Sequence, residues 1–370
     1  MKVYVYICNK WRYIAMKKIL YLGWLGYNNL GDELMWELFE ELCFKFYGSK
    51  CIVVPSPPDI STDDISDYDT IVLGGGSILL PQYINWIYHA LEMDKKIIIW
   101  GSGYDWADRK YIDLLEEGID QNLLYDGETV ERLEEIVNKS AYIGVRGPLT
   151  YSLLESANIN MDKVCLSGDP GLLLKADKFP KRCPIINWSN EDKIIAVNWS
   201  TSKNDIYGED EEYIENQLAQ VCKILLEQNY KIYMYIMWPI DIACNRRLYD
   251  KVGYHQNVVL DSNLYKAGEL TRILKKCTMS INFKLHGNII SAAAGIPFVC
   301  LGYRFKCFDF VKSMDLNELI VSTDEKRIVQ AILGRISFIN ANRPVIIHKL
   351  SMYKELYRKR LIRPFGEKLF

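Results

Sequence analysis

One strand–helix–strand unit, Ser280 to Tyr303, constrains this chain more than any other stretch. Thr278 to Phe283 alternates apolar and polar residues, the period of a half-buried strand. Leu285 to Ala294 then supplies small and apolar residues for a helix, with Gly295 at its C-terminal stop. Pro297 opens Phe298–Leu301, an unbroken apolar run of the buried-strand kind. Lys284, His286 and Asn288 crowd the strand-to-helix junction and are polar in otherwise apolar surroundings. A helix N-terminus favours anions, and Lys284 adds a fixed cation there. His286 adds a group that exchanges protons near neutral pH. Isolated, such a histidine is as readily a core residue; at the C-terminal edge of an α/β strand it reads as a ligand group.

The same pattern of apolar strand, glycine edge and helix repeats upstream. Ile19–Leu22 leads into Gly23-Trp-Leu-Gly-Tyr-Asn-Asn-Leu-Gly-Asp-Glu33, a loop with Asn28 at its centre that opens a helix reaching about Tyr47. It lacks the Gly-Lys-Ser/Thr of a phosphate loop, and Asp32 and Glu33 in its first turn would repel phosphate; it reads as a cleft-lining loop. Thr70–Leu73 ends in Gly74, Gly75, Gly76 and Ser77, and Lys96–Trp100 ends in Gly101-Ser-Gly103. Glycines there allow a ligand or a neighbouring segment to approach the backbone closely. Ala141–Val145 delivers Arg146, whose planar fork suits a carboxylate or phosphate, whether of a ligand or of the protein. Asp169, in the turn Ser167–Gly171, is either a cleft residue or a turn former.

This repetition predicts an α/β fold of two Rossmann-like, doubly wound domains facing a cleft. At 370 residues there is length for two such cores. The pattern breaks between Lys175 and Asp192, which divides the chain into an N-terminal domain, 17–178, and a C-terminal domain, 193–335, that carries the Lys-Leu-His segment. Residues 1–16, ahead of a second methionine, read as a leader or a misassigned start. Residues 336–370 read as a basic C-terminal helix.

A formal net charge of -2 argues against a general nucleic-acid binder, which needs a basic surface. The ten cysteines form no CxxC pair and read as buried thiols of a reducing, cytoplasmic setting. His89, His255, His286 and His348 are too dispersed to argue for a metal site, and no metal is expected. No apolar run spans a bilayer, but Lys349, Lys354, Arg358, Lys359, Arg360, Arg363 and Lys368 suggest peripheral contact with the inner face of a membrane.

Taken in order, Gly31-Asp32-Glu33, Leu73-Gly-Gly-Gly-Ser77, Gly144-Val-Arg-Gly147, Ser167-Gly-Asp-Pro170, Lys284-Leu-His-Gly287 and Ala294-Gly-Ile-Pro297 resemble the polysaccharide pyruvyl transferase family. The resemblance runs from about residue 18 to about 320. It implies the two-domain GT-B architecture and transfer of a pyruvyl group from phosphoenolpyruvate onto two hydroxyls of a glycan or lipid-linked sugar, forming a cyclic ketal. It further implies donor binding by Arg146, Lys284, Leu285, His286 and Lys306, with no cofactor beyond phosphoenolpyruvate as co-substrate. The family has Arg where this chain has Lys284, which keeps the charge and loses the bidentate fork.

The chemistry asks for two or more fixed cations for the donor's carboxylate and phosphate, a proton donor to its methylene carbon, and a base at the acceptor hydroxyl. His286 is the expected donor, and Asp32 and Asp169 are expected bases. Acceptor recognition is expected from residues 24–30, 77–85 and 199–208. Two other readings stay open. One is a nucleotide-sugar glycosyltransferase of the same architecture, although residues 250–335 hold no Glu-x7-Glu pair. The other is a non-catalytic anion-binding relative.

Overall fold

Short β-branched and aliphatic runs make buried parallel strands, and each is followed by a segment of helical period that covers a sheet face. The computed structural model describes residues 16–57, 60–118, 125–208, 210–253 and 256–370. Nearly all of the leader, residues 1–15, lies outside these, as do His255 and Cys8.

The first lobe runs β1 (Lys17–Leu22), α1 (Leu30–Tyr47), β2 (Cys51–Pro55), β3 (Thr70–Leu73), α2 (Pro81–Glu92), β4 (Lys96–Ser102), α3 (Arg109–Glu116), α4 (Gly127–Lys139), β5 (Tyr142–Val145), α5 (Pro148–Ser156) and β6 (Val164–Leu166). Its sheet order is β2-β1-β3-β4-β5-β6, and every pairing is parallel. Side chains alternate between two cores. Ile19, Tyr21, Ile98 and Trp100 face one, and Leu20, Leu22, Ile97 and Ile99 face the other.

The second lobe runs β7 (Ile194–Asn198), α6 (Glu211–Glu227), β8 (Lys231–Tyr235), α7 (Asp241–Val252), β9 (Val258–Asp261), α8 (Ala267–Leu274), β10 (Met279–Asn282), α9 (Leu285–Ala294), β11 (Phe298–Gly302), α10 (Phe305–Ser313) and β12 (Ile320–Ser322). Its order is β12-β11-β10-β7-β8-β9, again parallel throughout. The alternation in β10 does not mean half exposure. Its polar side is fully buried because its partners are polar: Asn282 Nδ2 donates to Ser280 Oγ at 2.8 Å, and Tyr235 OH donates to Asn282 Oδ1 at 2.7 Å. Asn288 belongs to this interior network, donating to the Lys284 carbonyl, and does not join Lys284 and His286 in facing the cleft.

Both orders reverse once. In the first lobe the reversal lies between β1 and β3, and in the second between β7 and β10. Open α/β sheets bind ligands at such switch points, where adjacent loops diverge from the strand ends. Here the two crevices face each other across one cleft.

The final helix, α11 (Ile328–Gly366), is kinked at Asn342, two residues before Pro344, and returns to the first lobe. Trp100 Nε1 donates to the Leu361 carbonyl at 2.9 Å, and Phe365 packs among Phe39, Trp100 and Phe370. Its basic residues partly face inward or pair locally. Lys349 pairs with Asp315 at 2.8 Å, Lys354 and Arg360 donate to the carbonyls of Ala293 and Leu166, and Arg363 pairs with Glu367. Among the described residues no helix is long and apolar enough to cross a membrane.

Candidate active site

A cleft of about 650 Å³ lies between the lobes, built from the C-terminal ends of strands in both sheets. Its floor is cationic. Arg146 follows β5, Lys284 caps α9 after β10, and Arg304 and Lys306 follow β11. Each is held by the protein itself.

The Arg146 guanidinium is buried. It donates to Ser77 Oγ at 3.2 Å and to the Tyr104 carbonyl at 3.1 Å, and its Nε lies 3.6 Å from Asp309. The expected alternatives for this fork therefore coexist: it pairs with a carboxylate of the protein and also lines the cleft. Lys284 Nζ donates to the Thr201 carbonyl at 2.7 Å and sits 5.3 Å over the Trp238 ring. Burial, with Lys306 and Arg304 nearby, lowers the Lys284 ammonium to about 8 despite Asp241. Lys306 Nζ lies 3.0 Å from Asp105, which also pairs with Arg304. Burial alone would raise the Asp105 carboxyl, but these two cations hold it below the ordinary range.

The proton-bearing groups depart most from expectation. His286 is half-buried at the cleft wall, and its ring packs where a Cβ on Gly31 would fall 2.0 Å from Nδ1; only glycine admits it. Its Nε2 is buried without a hydrogen-bond partner. Burial, reinforced by Arg146, Lys306 and Lys284, pushes its imidazolium down to about 3. His286 is therefore neutral at pH 7 in the free protein, which corrects the expectation of proton exchange near neutrality. Asp32 shows the opposite shift. Burial beside Asp169 and Glu33 raises its carboxyl to about 7, against the pull of Lys306 and Lys284. Glu33 turns away to accept from the Gly26 N–H at 2.9 Å, so it does not point at a ligand.

Of the residues expected from sequence, the cleft brings together Asp32, Gly76, Ser77, Arg146, Lys284, Leu285, His286 and Lys306. The others lie elsewhere. Asn28 is exposed with φ of 56°, and its neighbour Asn29 lines the cleft while capping α1 through the Gly31 N–H. Gly74 and Gly75 are crowded by the protein: a Cβ on either would fall 2.1 Å from Tyr21 or 2.4 Å from Met35. Asp169 is fully buried outside the cleft lining, with Oδ1 accepting from the Gly171 N–H at 2.8 Å and Oδ2 unpartnered. Burial raises its carboxyl to about 6.

The sequence did not point to Asp105, Trp106 or Trp238, whereas Thr201 falls in the stretch 199–208 expected to meet the acceptor. The signal for Asp105 was its place two residues past Gly101-Ser-Gly103, at the end of β4. Among the described residues no group of three or more His, Cys, Asp or Glu side chains is placed to hold a metal ion.

Comparison with known proteins matches the sequence to one family and the fold to one architecture. The model of the family described as polysaccharide pyruvyl transferase matches residues 29–304. No curated protein matches the sequence. Among solved structures, S. aureus MnaA, solved with UDP, is similar with a TM-score of 0.59 at 12% identity, over 96% of this chain and 98% of that one. A UDP-glucosyltransferase from Polygonum tinctorium is similar with a TM-score of 0.58 at 10% identity, over 95% and 98%. The UDP-GlcNAc 2-epimerase of Neisseria meningitidis, bound to UDP-GlcNAc, is similar with a TM-score of 0.54 at 11% identity, over 94% and 99%. These likenesses show a GT-B-like architecture of two α/β lobes.

Proposed function

Because this chain belongs to the polysaccharide pyruvyl transferase family, and is thus an enzyme of the transferase class, we propose that it transfers a pyruvyl group from phosphoenolpyruvate to two hydroxyls of a saccharide. The observation that carries this reading is the convergence of four cations, Arg146, Lys284, Arg304 and Lys306, on a cleft that also holds two groups with oppositely shifted proton affinities. A donor with both carboxylate and phosphate needs such a floor, and the N-terminus of α9 adds its dipole.

The shifts exchange the expected roles of Asp32 and His286. The carboxyl of Asp32 carries a proton near pH 7 and delivers it to the methylene carbon, leaving the central carbon electrophilic. His286, neutral, accepts the proton of the attacking sugar hydroxyl as the new C–O bond forms. The C–O bond to phosphate then breaks, the second hydroxyl attacks the same carbon, and its proton leaves with the phosphate. The products are the ketal and inorganic phosphate, and the proton taken by His286 returns to Asp32 through solvent before the next turnover. Asp169, under the floor, acts through its negative field on Asp32.

The pH dependence follows in sign. Asp32 loses its proton as pH rises through about 7, and Lys284 loses its charge above about 8. Both changes lower kcat/KM for phosphoenolpyruvate on the alkaline side, since that ratio reports the free enzyme. His286 stays neutral down to about 3 and adds no acid limb above that. A kcat/KM profile flat through pH 7 to 9 would count against Asp32 as the donor.

A nucleotide-sugar reading is favoured by one observation, that MnaA and the Neisseria epimerase were solved with UDP and UDP-GlcNAc. Calorimetric titration with phosphoenolpyruvate and, separately, UDP decides between them. Phosphoenolpyruvate binding that weakens in Lys284→Ala supports pyruvyl transfer, whereas tight binding of UDP alone overturns it.

A further inference from the structure

We propose that the mouth of the cleft is a saccharide subsite whose platforms are the indoles of Trp24 and Trp106, which receive the C–H face of the acceptor's pyranose ring. This rests on the pyruvyl transfer reading for the identity of the ligand as acceptor, but the subsite itself is argued from the aromatic side chains.

Trp24 is 37% exposed and Trp106 59% exposed, and both line the cleft. Large apolar surfaces left open beside a polar floor mark ligand grooves more often than they serve folding. Trp24 is also fixed in orientation. It stacks on Tyr27 with centroids 4.4 Å apart and an interplanar angle of 18°, and meets Trp238 edge-on at 5.9 Å. Trp238 Nε1 in turn donates to the Tyr27 carbonyl at 2.9 Å, tying a loop of the second lobe to one of the first. The row Tyr27, Trp24, Trp238 therefore leads from solvent to Lys284, whose ammonium lies over the Trp238 ring.

Trp106 repeats the arrangement. The Arg304 guanidinium lies 4.9 Å from its ring centroid and is held by Asp105 and by Asp205 at 2.6 Å. Two of the four floor cations, Lys284 and Arg304, thus have a tryptophan beside them. Strands β1 and β4, which carry the two loops, are separated only by β3, so their ends lie about 10 Å apart.

The ligand class follows from this layout. Aromatic faces carry negative potential and attract the weakly positive C–H face of a pyranose, without fixing which hydroxyls it bears. Thr201, Ser202 and Asp205 line the same wall and supply hydroxyl and carboxylate partners for sugar hydroxyls. A neutral polyol stacked there would lie next to the cations that hold the donor anion, as transfer between the two requires.

The test uses the full chain with phosphoenolpyruvate present. The probes are methyl glycosides of glucose, galactose and mannose and their 2-acetamido analogues, read by saturation-transfer NMR. Wild type is expected to saturate C–H protons on one ring face of at least one glycoside. Trp24→Ala and Trp106→Ala should each weaken that glycoside about tenfold, and Trp24→Phe, which keeps a ring, should recover most of the loss. Phosphoenolpyruvate affinity, measured calorimetrically on Trp24→Ala, should stay within about threefold of wild type. Unchanged glycoside binding in both alanine variants, or no saturation of any glycoside, overturns the subsite. Tryptophan-dependent glycoside binding by a protein that ignores phosphoenolpyruvate keeps the subsite and removes the transfer reading instead.

Discussion

Replacing His286 with alanine is expected to lower kcat by about 10²–10⁴-fold, the range lost with a general acid or base, while phosphoenolpyruvate affinity changes little. The expectation follows from the surroundings of the ring. A histidine driven this far from its imidazolium by desolvation, reinforced by Arg146, Lys306 and Lys284, adds no positive charge to the anion site, so its loss removes none. What is lost is an acceptor held against Gly31 with an unpartnered Nε2. The measurements are single-turnover pyruvyl transfer and phosphoenolpyruvate titration on the same preparation. A variant with wild-type turnover would remove His286 from the chemistry, whereas one that no longer binds donor would make it a binding group.

Arg146→Met is expected to show the second large effect, and on two observables at once. The guanidinium is buried against Asp309, whose carboxylate also accepts from the Leu149 N–H at 2.9 Å, the Thr150 N–H at 3.1 Å and the Thr150 hydroxyl at 2.7 Å. Removing the cation leaves that carboxylate buried and uncompensated, which costs about 3–5 kcal/mol of stability. Donor affinity falls as well, because one of the four floor cations is gone. Urea unfolding and calorimetry read the two separately. Arg146→Lys should restore part of the stability and less of the affinity, since an ammonium cannot bridge Ser77, Tyr104 and Asp309 together. If Arg146→Met unfolds at the wild-type urea concentration, the Asp309 pairing is not what holds the lobes at this point.

The architecture was legible because buried parallel strands are written in a simple alphabet. Thr70–Leu73, Tyr142–Val145 and Phe298–Leu301 are short apolar runs bounded by breakers, and each became a strand. The cleft lining was legible where a residue lies at a strand end, as Arg146 does after β5 and Lys284 after β10; Lys306, inside α10, was reached only through the family resemblance. It was not legible where function depends on a second segment. Gly74 and Gly75 left both a ligand and a neighbouring segment open, and it is the protein itself, through Tyr21 and Met35, that fills the space beside them. Asn28 and Asn29 are chemically equivalent in sequence, and only the cap on α1 tells them apart. The protonation of His286 depends on cations that arrive from three strands, which no local pattern contains.

The return of α11 has a mechanical consequence. The chain crosses between the lobes twice, once through residues 167–193 and once past the kink at Asn342. A body tethered to another at two separated points keeps one rotational freedom, about the line through the tethers. Any opening of the cleft would therefore turn about a single axis, with sideways shear or twist opposed by the two crossings. The contacts that span the lobes, Asp105 with Arg304 and Lys306 and Tyr27 with Trp238, would then re-form together on closing. Two crossings would thus let the cleft widen for a ligand without losing the register of the groups on its two walls.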